Sequence, residues 1–224
     1  MLASLETVLT LARKDLLLEL RSRDIVLAIV VFALLVITIF TFAIELTPSR
    51  SRDVGPGVLW AAVAFAGVLG LNRSFAMEAE GSTLDGLMLT PVSRELIFFG
   101  KVLGNFIFIT IAEIVIFPVF EALFNISVLQ IETIVIALLA SIGFSAVGTA
   151  FAAVSVRVRS REIMLPLLFL PTSVPLIMAA VESTSVVVNG GSWSDFNDWL
   201  QLAILFDVIF VIASAVLFQY VLEE

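Results

Sequence analysis

Six times along 224 residues the sequence runs for roughly 20 residues with almost no charge. A helix rises 1.5 Å per residue, so about 20 apolar residues cross the ~30 Å hydrocarbon layer of a bilayer. The runs are Ile25–Ile44, Val54–Leu71, Leu96–Phe120, Thr133–Val156, Ile163–Val181 and Trp199–Leu222. Hydrophobic residues make up 60% of the chain and charged residues only 14%, against about 25% charged in soluble domains. The pattern predicts an all-α integral membrane protein in one transmembrane domain over residues 1–224, with six spans. No signal peptide is read at the N-terminus, because acids and bases interrupt its apolar residues.

Six spans return the chain to the side on which it starts, and the basic residues say which side that is. Arg13, Lys14, Arg21, Arg23, Arg73, Arg94, Lys101, Arg157, Arg159 and Arg161 lie at one face, and only Arg50 and Arg52 at the other. This asymmetry predicts cytoplasmic termini in a cell inner (plasma) membrane protein. The outer loops are then Thr47–Asp53, Asn125–Glu132 and Glu182–Asp198, with Trp193 and Trp199 suited to the membrane boundary. Ahead of the first span, Leu5, Leu9, Ala12, Leu16 and Leu20 share one helical face while Glu6, Arg13, Lys14 and Asp15 lie elsewhere. That pattern fits an amphipathic helix in the cytoplasmic interface, or alternatively a plain extension of the first span.

Between the second and third spans lies a polar, acidic stretch, FAMEAEGSTLDGLMLTPVSRE. Ser82 with Asp85 three residues on resembles a capping box, so a short helix is expected from about Thr83. Leu84, Leu87 and Met88 then share a face, Gly86 weakens the helix and Pro91 ends it. Such a helix suits a groove on another protein. A solvated connector fits the residues equally well.

Several chemistries are absent. There is no cysteine and no histidine, which removes thiolate metal sites, the commonest metal ligand and the commonest general base. A net charge of −8 without a basic stripe argues against a nucleic-acid partner. No G-x-x-x-x-G-K-[S/T] phosphate loop occurs; Gly100-Lys101 is followed by Val102. The chain is therefore read as non-catalytic, with no metal and no cofactor of its own. A ligated haem would have only five methionines and Tyr220 to draw on, a poor axial set without His or Cys.

Inside the spans, Glu113 and Asp207 are costly in hydrocarbon. They form either a proton or cation relay, or an interhelical hydrogen bond or water-lined crevice. Ala137, Ser141, Ser145, Thr149 and Ala153 recur every four residues, as do Ala62, Ala66 and Gly70, and read as packing seams. Pro166, Pro171 and Pro175 in the fifth span make either a hinge or broken helix near a transport path, or a static kink.

The polar stretch "EAEGSTLDGLMLTPVSRELIFFGK" resembles the cytoplasmic loop of ABC-2-type permeases. "LWAAVAFAGVLGLNRSF" before it and "LPTSVP" in the fifth span are similar to the haem exporter protein B family, the permease of cytochrome c maturation. Leu71-Asn72-Arg73 and Pro171-x-x-x-Pro175 carry the narrower likeness, which extends over nearly the whole chain. The resemblance implies ATP hydrolysis on a separate ATPase subunit, docked through Glu78, Glu80, Gly81, Leu84, Asp85, Leu87, Met88 and Pro91. It also implies a transport path or hinge near Asn72, Arg73, Glu113, Pro166, Pro171 and Pro175. The implied partners are a second haem-handling integral membrane protein, through which haem is held, a small membrane subunit and a second copy of this chain. Together they would load or release a periplasmic haem chaperone. A generic ABC-2 exporter of lipid, glycan or drug, or an ion-coupled carrier using Glu113 and Asp207, are the alternatives.

Overall fold

The computed structural model describes residues 2–21, 23–44, 47–80, 92–156 and 161–221, and all of its regular structure there is helical. The helices are α1 (Leu2–Arg21), α2 (Arg23–Ala43), α3 (Pro48–Glu80), α4 (Arg94–Phe124), α5 (Ile131–Val156), α6 (Arg161–Val188) and α7 (Asn197–Val221). A single 3-10 turn, Trp193–Asp195, precedes α7.

Five segments, in α3 to α7, are long and apolar enough to cross a membrane. Helix α2 has the length of a crossing at 21 residues, but the apolar stretch among its described residues is the shorter Val30–Ala43. The chain is a multi-pass membrane protein, and the sixth crossing remains an expectation. Burial follows an inside-out logic. Ile114, Ile163, Leu167, Ile204, Leu205 and Ile212 are each about half or more exposed, which suits contact with lipid chains.

Helices α3 and α5 form the buried centre. Both expected small-residue seams are packing surfaces: Ala137, Ser141, Ser145, Thr149 and Ala153 are buried, as are Ala62, Ala66 and Gly70. The approach is closest where α5 lacks a side chain. A Cβ at Gly148 would run into Leu71 Cδ1 of α3. Trp60 Nε1 donates to Thr184 Oγ1 at 2.9 Å across the α3–α6 contact and meets Phe117 of α4 edge-on. This gives the indole its required acceptor in a dry site.

Four boundaries correct the sequence expectation. Helix α3 begins at Pro48, within the expected Thr47–Asp53 loop, and α5 at Ile131, within Asn125–Glu132. Helix α6 runs on to Val188, and the 3-10 turn further shortens the expected Glu182–Asp198 loop. Most consequentially, α3 does not stop near Leu71 but continues to Glu80. Charge ends an apolar run without ending a helix. Residues 72–80 contain no Gly or Pro, and Ala, Met and Glu favour helix in water too. Helix α6 passes through Pro166, Pro171 and Pro175 as one α-helix, so it is not a broken helix.

The turn between α4 and α5 is built tightly. Asn125 takes a left-handed conformation (φ 53°) and its N–H bonds Glu121 O. The Glu121 carboxylate accepts from the N–H groups of Val128 and Leu129, both at 2.9 Å. Gly55 of α3 fits beneath, where a Cβ would touch Ile126 Cδ1 at 2.8 Å.

Candidate functional site

Helices α3 and α4 flank the segment singled out in the sequence. Gly81, Leu84, Asp85, Leu87, Met88 and Pro91 lie outside the described residues. Glu78 and Glu80 sit on the final turns of α3, as Arg73 does two turns earlier. The apolar part of α3 ends at Asn72, so the helix carries Glu80 about 12 Å further along its axis at 1.5 Å per residue. The loop's first anchor thus stands clear of the apolar segment. Its second anchor is bolted to α7: Gln219 Nε2 donates to Glu95 Oε1 at 2.8 Å, and Arg94 Nη1 reaches Gln219 O at 3.5 Å. Phe98 packs against Phe218 with ring centroids 5.4 Å apart.

Helix α1 lies along α4. Gly100 and Gly104 open the contact: a Cβ at Gly100 would meet Leu11 Cβ at 2.7 Å, and one at Gly104 would lie 3.5 Å from Asp15 Cβ. Ala12 and Asp15 are buried here. Lys101, only 3% exposed, places its ammonium 3.6 Å from Asp15 Oδ2, and Lys14 Nζ lies 2.8 Å from Asp15 Oδ1. The expected apolar stripe divides between two surroundings: Ala12 is buried against α4 and Leu16 is half-buried, whereas Leu5 and Leu9 are more than half exposed. Sequence periodicity gathers these residues on one face but does not show which of them meets another helix. The pair Lys101–Asp15 escaped the sequence reading because its members lie on different helices, 86 residues apart. Gly100-x-x-x-Gly104 was the available signal.

This contact gives a direct prediction. A Cβ at Gly104 would be 3.7 Å from Ala12 Cα, which keeps the two Cα atoms within about 5.2 Å, inside the range a disulfide spans. With Ala12→Cys and Gly104→Cys in this cysteine-free chain, oxidation should close a disulfide, read as a faster-migrating band that reductant reverses. Persistent free thiols would place α1 away from α4.

Deeper in the bundle, Asn105 Nδ2 donates to Thr149 Oγ1 at 2.8 Å. Two turns further along α4, Glu113 is 4% exposed and faces Ser141 of α5, yet neither its Oε1 nor Ser141 Oγ has a hydrogen-bond partner. On another face of α5, Asp207 of α7 packs against Gly143, where a Cβ would come within 2.5 Å of Asp207 Oδ1. Both carboxylate oxygens of Asp207 lack partners. Glu113 lies about 16 Å from the end of α4, and Asp207 about 15 Å from the start of α7, by helical rise. The two carboxyls thus flank α5 near one depth without a described polar chain joining them. Asn72 is half-buried on α3 beside Leu71.

Two of the haem-ligand candidates with described side chains lie on separate helices. Met178 on α6 and Tyr220 on α7 point outward, 51% and 66% exposed. Among the described residues no group of three His, Cys, Asp or Glu could hold a metal ion. A groove of about 600 Å³ lies between α1, α4 and α5 and is lined by Leu5, Val8, Phe99, Leu103 and Phe106. It is apolar and open on one side.

The profile of the CcmB protein family matches residues 6–222. Among similar curated proteins are three named heme exporter protein B. The one from Bradyrhizobium diazoefficiens is 27% identical over 181 residues, covering 80% of this chain and 82% of the relative. That from Pseudomonas aeruginosa is 26% identical over 193 residues, 86% of each. That from Rhodobacter capsulatus is 30% identical over 173 residues, covering 72% and 78%. From α1 to the end of α7, this chain belongs to the CcmB family.

Proposed function

We propose that this protein is the non-catalytic permease subunit of an ABC transporter acting in haem handling for cytochrome c maturation. The observation that carries the reading is the family match over residues 6–222, beside a helix α3 that continues past its apolar segment to Glu80. The relatives' name, heme exporter protein B, supplies haem as the cargo class, whether this chain moves it or helps a partner deliver it. ATP is hydrolysed on a separate ATPase, which docks on the short helix expected from Thr83. Glu78 and Glu80 flank that docking site from α3, Gly81 and Pro91 bound it, and Asp85 helps place it. A second copy of the chain, a second haem-handling membrane protein and a small membrane subunit complete the complex. It loads or releases a periplasmic haem chaperone.

In this reading the loop's motion enters α3 and α4 together. Helix α4 passes it to α1 through Lys101–Asp15 and to α7 through Glu95–Gln219. Asn72, Arg73 and the proline-bearing α6, with Pro166, Pro171 and Pro175, are where the bundle would flex. The termini and the loop are cytoplasmic in an inner-membrane protein. A cysteine at the exposed Ser192 should react with an impermeant thiol reagent added outside, and one at Ser82 should not; the reverse pattern would invert the topology.

The functional test is a chromosomal deletion of this chain. Haem-stained c-type cytochromes should disappear, while b-type cytochromes persist, and the wild-type gene should restore them. Normal c-type cytochromes in the deletion strain would overturn the reading. Glu113→Gln should complement fully in the same assay, because an amide preserves size and hydrogen-bonding capacity but cannot relay a proton. A correctly inserted but inactive Gln variant would favour the ion-coupled carrier.

A further inference from the structure

The groove between α1, α4 and α5 has a cation at its edge as well as apolar walls. Leu5 and Val8 form one wall, α4 from Leu96 to Phe106 another, and Ile142 of α5 a third. Ser145 also lines the groove, but its hydroxyl donates back to Ile142 O. Helix α1 carries Glu6, Arg13, Lys14 and Asp15 among its leucines, which suits the boundary between hydrocarbon and headgroups.

Two features choose the occupant. The first is size. The α4 wall runs about 15 Å from Leu96 to Phe106 at 1.5 Å per residue, half of the ~30 Å hydrocarbon layer. A helix about 10 Å across fills about 1,200 Å³ over that length, and the groove offers about 600 Å³. A helix would therefore rest on the groove, whereas a single acyl chain is narrow enough to lie inside it. The second is charge. Leu5, Leu9 and Arg13 follow one another at intervals of four along one edge of α1, and all three are exposed. Arg13 has no ion-pair or hydrogen-bond partner among the described residues, whereas Lys14 and Lys101 both lie against Asp15. An arginine on such an edge lays its stem on apolar surface and holds its guanidinium at headgroup level, where its fork matches a phosphate. The described groove lining includes no acid, and Glu6 lies about 10 Å from Arg13 along the helix axis.

We propose that the α1–α4–α5 groove holds an acyl chain of an anionic phospholipid, with its phosphate bound by Arg13. The lipid then fastens α1 to the crossing helices beside the contact that Gly100 and Gly104 make with Leu11 and Ala12. The site requires only that the chain crosses a membrane, so its failure would leave the transporter reading untouched.

The test uses the full complex reconstituted in phosphatidylcholine vesicles. They contain, at equal mole fraction, either phosphatidylglycerol or phosphatidylcholine with a diazirine on one acyl chain. After irradiation, labelled positions are mapped by peptide mass spectrometry. Phosphatidylglycerol should label Leu5, Val8, Leu103 and Phe106 about fivefold more than phosphatidylcholine, the ratio that ~1 kcal/mol for one arginine near anionic lipid corresponds to. Ile212, an exposed residue of α7, should take both probes alike. Arg13→Gln should bring the groove ratio close to one, and Arg13→Lys should keep most of the preference. Leu103→Trp, which fills the groove, should lower labelling of Leu5 and Val8 by either probe and leave Ile212 unchanged. Equal labelling of the groove by the two probes in the wild type, or a preference that survives Arg13→Gln, would reduce the lipid to an unselective annulus and overturn the proposal. So would groove positions that stay unlabelled while Ile212 is labelled, or labelling of Leu5 and Val8 undiminished by Leu103→Trp.

Discussion

Gly143→Val should remove most of the folded permease. A Cβ at this position would run into Leu176 Cδ2 and would lie 2.5 Å from Asp207 Oδ1 and 3.3 Å from Phe206 Cδ1. Those atoms belong to α6 and α7, so the new group would wedge three helices at once. Alanine adds one carbon, and the Leu176 and Asp207 side chains can rotate away from it. Valine adds two further methyl groups with a restricted χ1, on the central helix. Overpacking of this kind costs about 1–3 kcal/mol and sometimes more; the three-sided contact puts valine at the upper end and alanine well below it. Thermal midpoint in detergent and membrane yield should fall in the order wild type, Gly143→Ala, Gly143→Val. A valine variant matching wild type would mean that α5 does not meet α6 and α7 as described.

The helical membrane fold was readable because hydrocarbon leaves a chain few options. Among the described residues each long apolar run coincides with a helix to within one residue, and the central positions of α3 and α5 follow from small residues such as Ala66, Ser141 and Thr149. The helix ends were less readable. Hydropathy reports where a chain leaves hydrocarbon, whereas α3 continues to Glu80 and α6 to Val188, because backbone hydrogen bonding and helix propensity do not stop at the interface. Contacts between distant helices were invisible for a different reason. The partners of Lys101 and Trp60 are Asp15 and Thr184, and nothing local to either member marks the other. Glu113 and Asp207 could be flagged as expensive, but only the packing reveals that they sit on separate faces of α5. The coupling segment is the converse case. Its capping pattern and apolar face are read from sequence, and the described structure supplies its anchors at Glu80 and Arg94.

The second large effect concerns that segment. In the expected short helix, Leu84, Leu87 and Met88 share one face, with Leu87 in the middle of the set. Burying each in a groove on the ATPase would contribute roughly 1.5–3 kcal/mol before the cost of ordering the loop. Leu87→Asp removes one such contribution and adds a charge that the groove must desolvate without a partner. A loss of only 1.4 kcal/mol is tenfold in affinity, so retention of the ATPase should fall by about tenfold or more. Thr83→Ala, on the solvated side, should change it little. The permease should still insert at normal levels.

The central claim, that an external ATPase drives this permease through residues 81–91, is tested most directly by co-purification from membranes. The tagged wild-type permease should retain its ATPase subunit and its ATP turnover. Leu87→Asp, present in the membrane at the same level, should lose both. ATPase bound at wild-type levels with unchanged turnover in the Leu87→Asp complex would contradict the claim and leave the acidic segment as a solvated connector.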